Sequence, residues 1–188
     1  MRGLNSDARQ RDVRGKIEES QCSIIYLQET KYSDFDIRSI CKFCPCRFDS
    51  FAFAPPSGAS GGILMVWNSS IFSGKLSEMQ SYGVVISFTS VHNAEKWTLV
   101  SVYGPCEGER RDDFVHWLYH LHIPIDEHWL ILGDFNFIRS LDNRNLPDGD
   151  VNENFLFNEI IGHLGLLELP LKGRRFTWSN MQDNPLLE

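Results

Sequence analysis

The chain has no run of eighteen apolar residues, the length a helix needs to cross a bilayer, so no membrane-spanning helix is expected. Its N-terminus, Met1-Arg2-Gly3-Leu4-Asn5-Ser6-Asp7, lacks the apolar segment of a secretory signal. The sequon Asn68-Ser69-Ser70 therefore raises no expectation of glycosylation. Positive charge is also short: 18 Lys and Arg stand against 25 Asp and Glu, a formal net charge of −7. A scaffold that grips many phosphates draws its affinity from cations that displace counterions, so this balance argues against one. It leaves room for an enzyme that touches a nucleic-acid backbone briefly, through a metal and a few local cations. Internal repeats, low-complexity tracts and linkers are missing, and 188 residues suit one domain with a real core.

Several familiar chemistries lack a necessary part. The Gly-rich stretch Ser57 to Gly62 does not end in Gly-Lys-Ser/Thr, which excludes a phosphate-binding P-loop. No Gly-x-Ser-x-Gly elbow exists for a serine hydrolase. His116 and His120 stand four apart, but no Glu lies between them, so a metalloprotease helix fails and surface histidines are expected. Cys41, Cys44 and Cys46 are close enough to suggest zinc, yet no fourth Cys or His lies nearby, and a structural zinc site wants four ligands. With Cys22 and Cys106 the cysteines number five, an odd count that suits reduced thiols inside a cell.

The elements that are present alternate. Ser6 to Ser20 predicts an amphipathic helix with Ser6 or Asp7 as N-cap. Ser23 to Leu27 reads as a buried strand, Ile63 to Trp67 as a strand and Trp129 to Leu132 as a second buried one, and residues 34 to 50 are ambiguous. Gly83 to Thr89 and Lys96 to Tyr103 read as strands joined by a turn at His92 to Glu95. Asp112 to His122 predicts a helix that Pro124 stops. Glu153 to Leu164 predicts another, with Phe155, Leu156, Ile160, Ile161 and Leu164 on one face and Gly165 closing it. Arg174 to Ser179 is strand-like. The pattern predicts an α/β (α+β) fold, sheets covered by helices.

Three apolar strands end in polar groups: Gln28-Glu29-Thr30-Lys31, Tyr103-Gly104-Pro105 and Gly133-Asp134-Phe135-Asn136. Strand ends are where sites assemble in sheets with helical cover. The candidate set is Glu29, Tyr103, Asp134 and Asn136. A hard oxygen ligand such as Glu29 suits Mg²⁺ or Mn²⁺. Asp134 could orient or deprotonate a water, and Asn136 and Tyr103 could donate to phosphate oxygens. Taken singly, each has a plain alternative: Glu29 as a turn residue, Tyr103 as a half-buried aromatic. A second constellation, Lys172-Gly173-Arg174-Arg175-Phe176-Thr177-Trp178, could hold phosphates and stack on bases. Its alternative is a basic hairpin whose Phe176 and Trp178 face the core.

The ordered set Leu27-Gln28-Glu29-Thr30-Lys31, Val102-Tyr103-Gly104-Pro105 and Leu132-Gly133-Asp134-Phe135-Asn136 resembles the endonuclease/exonuclease/phosphatase superfamily. Phe48-Asp49-Ser50-Phe51, Gly58-Ala59-Ser60-Gly61-Gly62 and Gly173 to Asn180 resemble one branch, the endonuclease domain of plant LINE (non-LTR) retrotransposons. The resemblance implies a four-layer sandwich of two facing mixed β-sheets flanked by helices. It implies Mg²⁺-dependent nicking of double-stranded DNA, with a C-terminal reverse transcriptase in an intact element and a nuclear location. By motif, Glu29 is similar to the metal ligand and Tyr103 to the phosphate-site tyrosine. Asp134 is similar to the residue that activates the water, Asn136 to its hydrogen-bonding companion and Thr177 to a DNA-contacting threonine. Lys172, Arg174 and Arg175 would meet the DNA backbone.

Two parts of the family pattern are not matched. The family opens on Trp-Asn-x-Arg-Gly-Leu-Asn, and Met1-Arg2-Gly3-Leu4-Asn5 matches only from x onward, so Asn5 is the later, non-catalytic Asn. The Ser-Asp-His segment expected after Phe176-Thr177-Trp178-Ser179-Asn180 is not found. The expectation is a partial domain with impaired activity, since losing a positioned His or a metal-shell group removes orders of magnitude of rate. The competing expectations are an inactive remnant, another phosphoesterase of the superfamily, or a module that only binds nucleic acid.

Overall fold

A computed structural model describes residues 3–57, 61–106, 108, 110–122, 127–146, 150–170, 173, 176–180, 182 and 185–187. The residues sort into two compact units, Met1–Pro105 with Pro124–Asp134, and Cys106–Ile123 with Phe135–Glu188. No described helix is long and apolar enough to cross a membrane.

The first unit holds two sheets. Helix α1 (Asp7–Ser20) starts where the Ser6 hydroxyl accepts from the Arg9 N–H. It is followed by β1 (Ile24–Gln28), the short α2 (Ile37–Ile40), β2 (Ser50–Ala54) and β3 (Ile63–Trp67). These strands form an antiparallel sheet in the order β1-β3-β2. All five residues of β3 are buried, which is why a strand with no polar residue takes the centre. Strands β4 (Phe72–Gln80), β5 (Gly83–Ser90), β6 (Lys96–Tyr103) and β7 (His128–Asp134) form the second sheet in that order. Only β6 and β7 run parallel, so this sheet is mixed.

The two sheets face each other across one core. Ala52, Ala54, Ile63, Met65 and Trp67 from the first sheet pack with Val84, Ile86, Phe88 and Leu99 from the second. On the other face of the first sheet, Ile25, Leu64 and Val66 pack with Leu4, Ile17, Ile40, Phe43 and Phe48. Period-two alternation sends Ile25 and Leu27 to the helical side and Ile24 and Tyr26 to the inter-sheet side.

The second unit holds α3 (Arg110–Tyr119), a 3₁₀ turn (Leu141–Asn143) and α4 (Val151–His163), with an isolated bridge from Ser179 to Leu187. Arg111 is its hub. The guanidinium pairs with Glu153 at 2.8 Å, donates to the carbonyls of Cys106 and Asn136, and lies 4.0 Å from the Phe137 ring centroid.

Several sequence expectations need correction. Strand β7 runs to Asp134, so Asp134 ends the strand instead of following it, and the strand is half-buried because it lies at the sheet edge. Helix α3 begins at Arg110, two residues before Asp112. Phe155 and Leu156 are exposed, and α4 buries Asn154, Phe157 and Ile160, the stripe rotated from the one its apolar residues suggest. No regular strand is described over Arg174 to Ser179, and Trp178 is 47% exposed, so it does not face a core.

Candidate active site

The site is built from the C-terminal ends of β1, β6 and β7, all in the first unit. Strand alternation would place Glu29 with Ile25 and Leu27 on the helical side. Glu29 instead takes a left-handed backbone, φ 53°, which breaks the alternation. Its Oε1 accepts a 2.7 Å hydrogen bond from the Tyr103 hydroxyl on the facing sheet. Backbone strain of this kind in a residue with a long side chain is the sort that persists when its surroundings over-determine it.

Those surroundings are visible. The Glu29 carbonyl accepts from the Gly3 N–H at 2.8 Å, and the Lys31 N–H donates to the Gly61 carbonyl at 2.8 Å. A Cβ on Gly61 would stand 2.6 Å from the Glu29 Cα. Gly61 is therefore bare because the Glu29 backbone occupies the space a side chain would need.

Tyr103 and Asp134 are partners in the parallel β6–β7 register, and the Gly104 N–H donates to the Asp134 carbonyl at 2.8 Å. Gly133, at φ 139°, lets β7 approach β6 closely: a Cβ there would lie 1.9 Å from the Val102 carbonyl oxygen. That oxygen accepts two side-chain bonds from the facing sheet, from Tyr26 Oη at 2.7 Å and Gln28 Nε2 at 2.6 Å. Burial pushes the Tyr26 phenol well above its usual range; the Gln28 amide opposes this, and the Asp134 carboxylate and Tyr103 add to it. Tyr26 thus stays a neutral donor at any working pH.

The structure therefore brings Glu29, Tyr103 and Asp134 to adjacent strand ends. Asp134 is exposed, whereas Glu29 and Tyr103 are partly buried. Asn136 belongs to the second unit, where it has φ 52° and its carbonyl accepts from Arg111 at 3.2 Å. Thr177 is exposed in that unit as well. Lys172, Arg174 and Arg175 lie outside the described residues.

Sequence reasoning did not assign Tyr26, Gln28 or Gly61. The signal for the first two was present: polar groups at i and i+2 on the inter-sheet face of a strand that ends in a carboxylate. Gly61 had none, because what constrains it is a backbone more than thirty residues away in sequence.

The donor set fits a hard divalent cation. Glu29 offers a carboxylate oxygen, Oε2, that has no hydrogen-bond partner among the described residues. Among the described residues no group of three or more His, Cys, Asp or Glu is placed to hold a metal. Mg²⁺ does not require one, since it is commonly held by one or two carboxylates with waters and substrate phosphate.

A family model described as endonuclease/exonuclease/phosphatase family matches residues 1–185. Among solved structures, the endonuclease domain of TRAS1, a telomere-specific non-LTR retrotransposon, is similar at TM-score 0.60 and 14% identity, over 82% of this chain and 65% of that one. The AP endonuclease LMAP from Leishmania major is similar at TM-score 0.63 and 14% identity, over 86% of this chain and 63% of that one. D. rerio TDP2, solved with a single-strand DNA product, is similar at TM-score 0.51 and 14% identity, over 73% of this chain and 57% of that one. At such identities the likeness speaks to the fold, and the chain spans less than two thirds of each of these structures. Among curated proteins, none matches.

Proposed function

Because the chain belongs to the endonuclease/exonuclease/phosphatase family, we propose that it carries a LINE-type DNA endonuclease centre that uses Mg²⁺, or Mn²⁺ in its place, and works with impaired activity because the family's catalytic Asn and Ser-Asp-His motifs are not matched. The observation that supports this most is the 2.7 Å bond from Tyr103 to Glu29, made between strand ends of facing sheets with Asp134 in register beside Tyr103.

In this reading Glu29 holds the cation, which when bound polarises a phosphoryl oxygen and offsets charge in the transition state. Tyr103 keeps the Glu29 carboxylate in place in the free protein, and its single hydroxyl proton would turn from Glu29 to a nonbridging phosphate oxygen when substrate binds. Asp134 takes a proton from water as the new O–P bond forms and the bridging P–O bond breaks; the leaving oxygen takes a proton from solvent to become a hydroxyl, and Asp134 returns its own to solvent, leaving a phosphomonoester. Asn136 enters on its motif position, as companion to Asp134. Lys172, Arg174, Arg175 and Thr177 are proposed to meet the DNA backbone, so binding should be weak and salt-sensitive for a chain of net charge −7. A nuclear location and a reverse transcriptase partner in an intact element belong to the same proposal.

The test is a nicking assay on supercoiled plasmid with Mg²⁺. The proposal expects relaxed circles, lost with EDTA and reduced by a factor on the order of 10² or more in Asp134→Ala and Glu29→Gln. DNA binding without Mg²⁺-dependent nicking would overturn it in favour of a binding module.

A further inference from the structure

Glu29 and Tyr103 are each preceded by a residue that joins the same two sheets. Gln28, one residue before Glu29, donates from Nε2 to the Val102 carbonyl at 2.6 Å, and Val102 is one residue before Tyr103. The Tyr103 hydroxyl donates in the opposite direction, to Glu29 at 2.7 Å. The two bonds close a ring of two consecutive residues from each sheet, in which each sheet donates once and accepts once. Tyr26, two residues back on the same face of β1, adds a second donor to the Val102 oxygen at 2.7 Å.

Consecutive residues of a regular strand point to opposite faces, so Gln28 and Glu29 could not both reach a facing sheet from one. The left-handed backbone at Glu29, φ 53°, is what lets them do so. On the other side of the ring the link is stiff. The Val102 carbonyl and the Tyr103 N–H belong to one planar peptide unit. Its oxygen is held by Gln28 and Tyr26, and its N–H donates to the Tyr82 carbonyl at 2.9 Å. Val102 is fully buried. Held at both ends, the unit fixes where the Tyr103 side chain starts and so where its hydroxyl arrives.

We infer that Gln28 is a positioning residue for the Glu29 carboxylate, with Tyr26 as its helper. By holding the Val102–Tyr103 peptide it keeps the Tyr103 hydroxyl on Oε1 of Glu29 and leaves Oε2 for the cation. The inference rests on the reading of Glu29 as the metal ligand proposed above. A bond that only glued two sheets together could land anywhere along the strands. These two land on the peptide that carries the side chain bonded to Glu29. Hydrogen bonds to a ligating carboxylate set its orientation, and losing one costs roughly 10–100-fold in metal affinity. Gln28 acts one step further out, through Tyr103, and touches neither cation nor substrate.

The test measures Mn²⁺ binding to the full chain by electron paramagnetic resonance, without DNA. It compares the parent, Gln28→Met, Tyr103→Phe and the double variant, each shown to be folded by its urea melt. Tyr103→Phe should weaken binding about tenfold, and Gln28→Met by about threefold or more. The double variant should bind within about twofold of Tyr103→Phe, because the hydroxyl through which Gln28 acts is gone. Tyr26→Phe keeps its ring and removes the other donor to the same oxygen. It should show the same dependence on Tyr103, and it replaces Gln28→Met if that variant does not fold. Losses that multiply in the double variant would mark a purely structural role and overturn the inference, as would Gln28→Met binding like the parent. Plasmid nicking is followed in parallel. The expected pattern in a parent that nicks no DNA supports the inference while sinking the endonuclease reading, and a parent that binds no Mn²⁺ overturns both.

Discussion

Replacing Gly133 by Ala should damage the protein more than any other single methyl addition in the site. The added Cβ would lie 1.9 Å from the Val102 oxygen and 2.9 Å from both the Val102 carbon and nitrogen. That oxygen cannot retreat freely, because Tyr26 and Gln28 already hold it at 2.7 and 2.6 Å. Relief must come from β7 moving off β6, or from loss of both cross-sheet bonds. A backbone region that side chains avoid costs roughly 1–3 kcal/mol, and forced displacement in a packed region costs about the same again. The sum, on the order of 4 kcal/mol, is a large share of the stability of about 5–15 kcal/mol usual for a folded domain. In a urea melt, with a slope of about 2 kcal/mol per molar, the midpoint should fall by about 2 M. Gly15→Ala is the control: Gly15 sits within α1 with nothing within 4 Å of an added Cβ. It should stabilise by roughly 0.5–1 kcal/mol through helix propensity alone. If Gly133→Ala melts within about 0.5 kcal/mol of the parent, the claim that Val102 is clamped in place is wrong.

Further outcomes follow from the same geometry. Gly61→Ala should displace Glu29 and weaken Mn²⁺ binding, read by electron paramagnetic resonance, by about tenfold or more, a loss of ~1.4 kcal/mol. Unchanged affinity would separate Gly61 from the site. Tyr103→Phe should leave the melt nearly unaltered but lower the nicking rate on the order of 10²-fold, as loss of one transition-state donor does. Arg111→Met removes the pair with Glu153 and the donors to two carbonyls, and should destabilise by roughly 1.5–3 kcal/mol by chemical denaturation. Asp49 is held below the usual carboxylate range chiefly by the Ser69 hydroxyl, then by its backbone N–H. Its folded value is the lower one, so its stabilisation is present above the ordinary carboxylate range and fades as pH falls through the folded value. The stability gap between the parent and Asp49→Asn should therefore close in acid, and a gap constant from pH 6 to pH 2 would contradict this.

The elements most legible in the sequence were those whose burial matches their apolar pattern. Strands β3, β5 and β6 are continuous or alternating apolar runs, and the Ser6 cap announces α1. Strand β4 was missed because it is an edge strand, mostly exposed or half-exposed, whose register shifts between Leu76 and Glu78. The buried stripe of α4 was misread because Asn154 is buried while the apolar Phe155 is 68% exposed. Arg111 carried no expectation from the sequence, and only tertiary contacts make it a hub. At the site, Glu29, Tyr103 and Asp134 stood out as polar groups ending apolar strands. That Tyr103 would bond Glu29 across two sheets could not be read, because no sequence period relates positions seventy-four residues apart.

The Val102 carbonyl, bonded from one sheet while belonging to the other, acts as a gauge block between them. Facing sheets sit about 10 Å apart, a spacing set by the volumes of the side chains between them. Here those are Met65, Ile86 and Leu99, among others. The gap between Glu29 and Asp134 is thus inherited from core thickness, and thinning the core with Ile86→Val would press on the site from behind. Sandwich cores commonly tolerate exchange of one aliphatic residue for another. In this molecule such exchanges are also adjustments of reach at the strand ends, so the core and the site are obliged to change together.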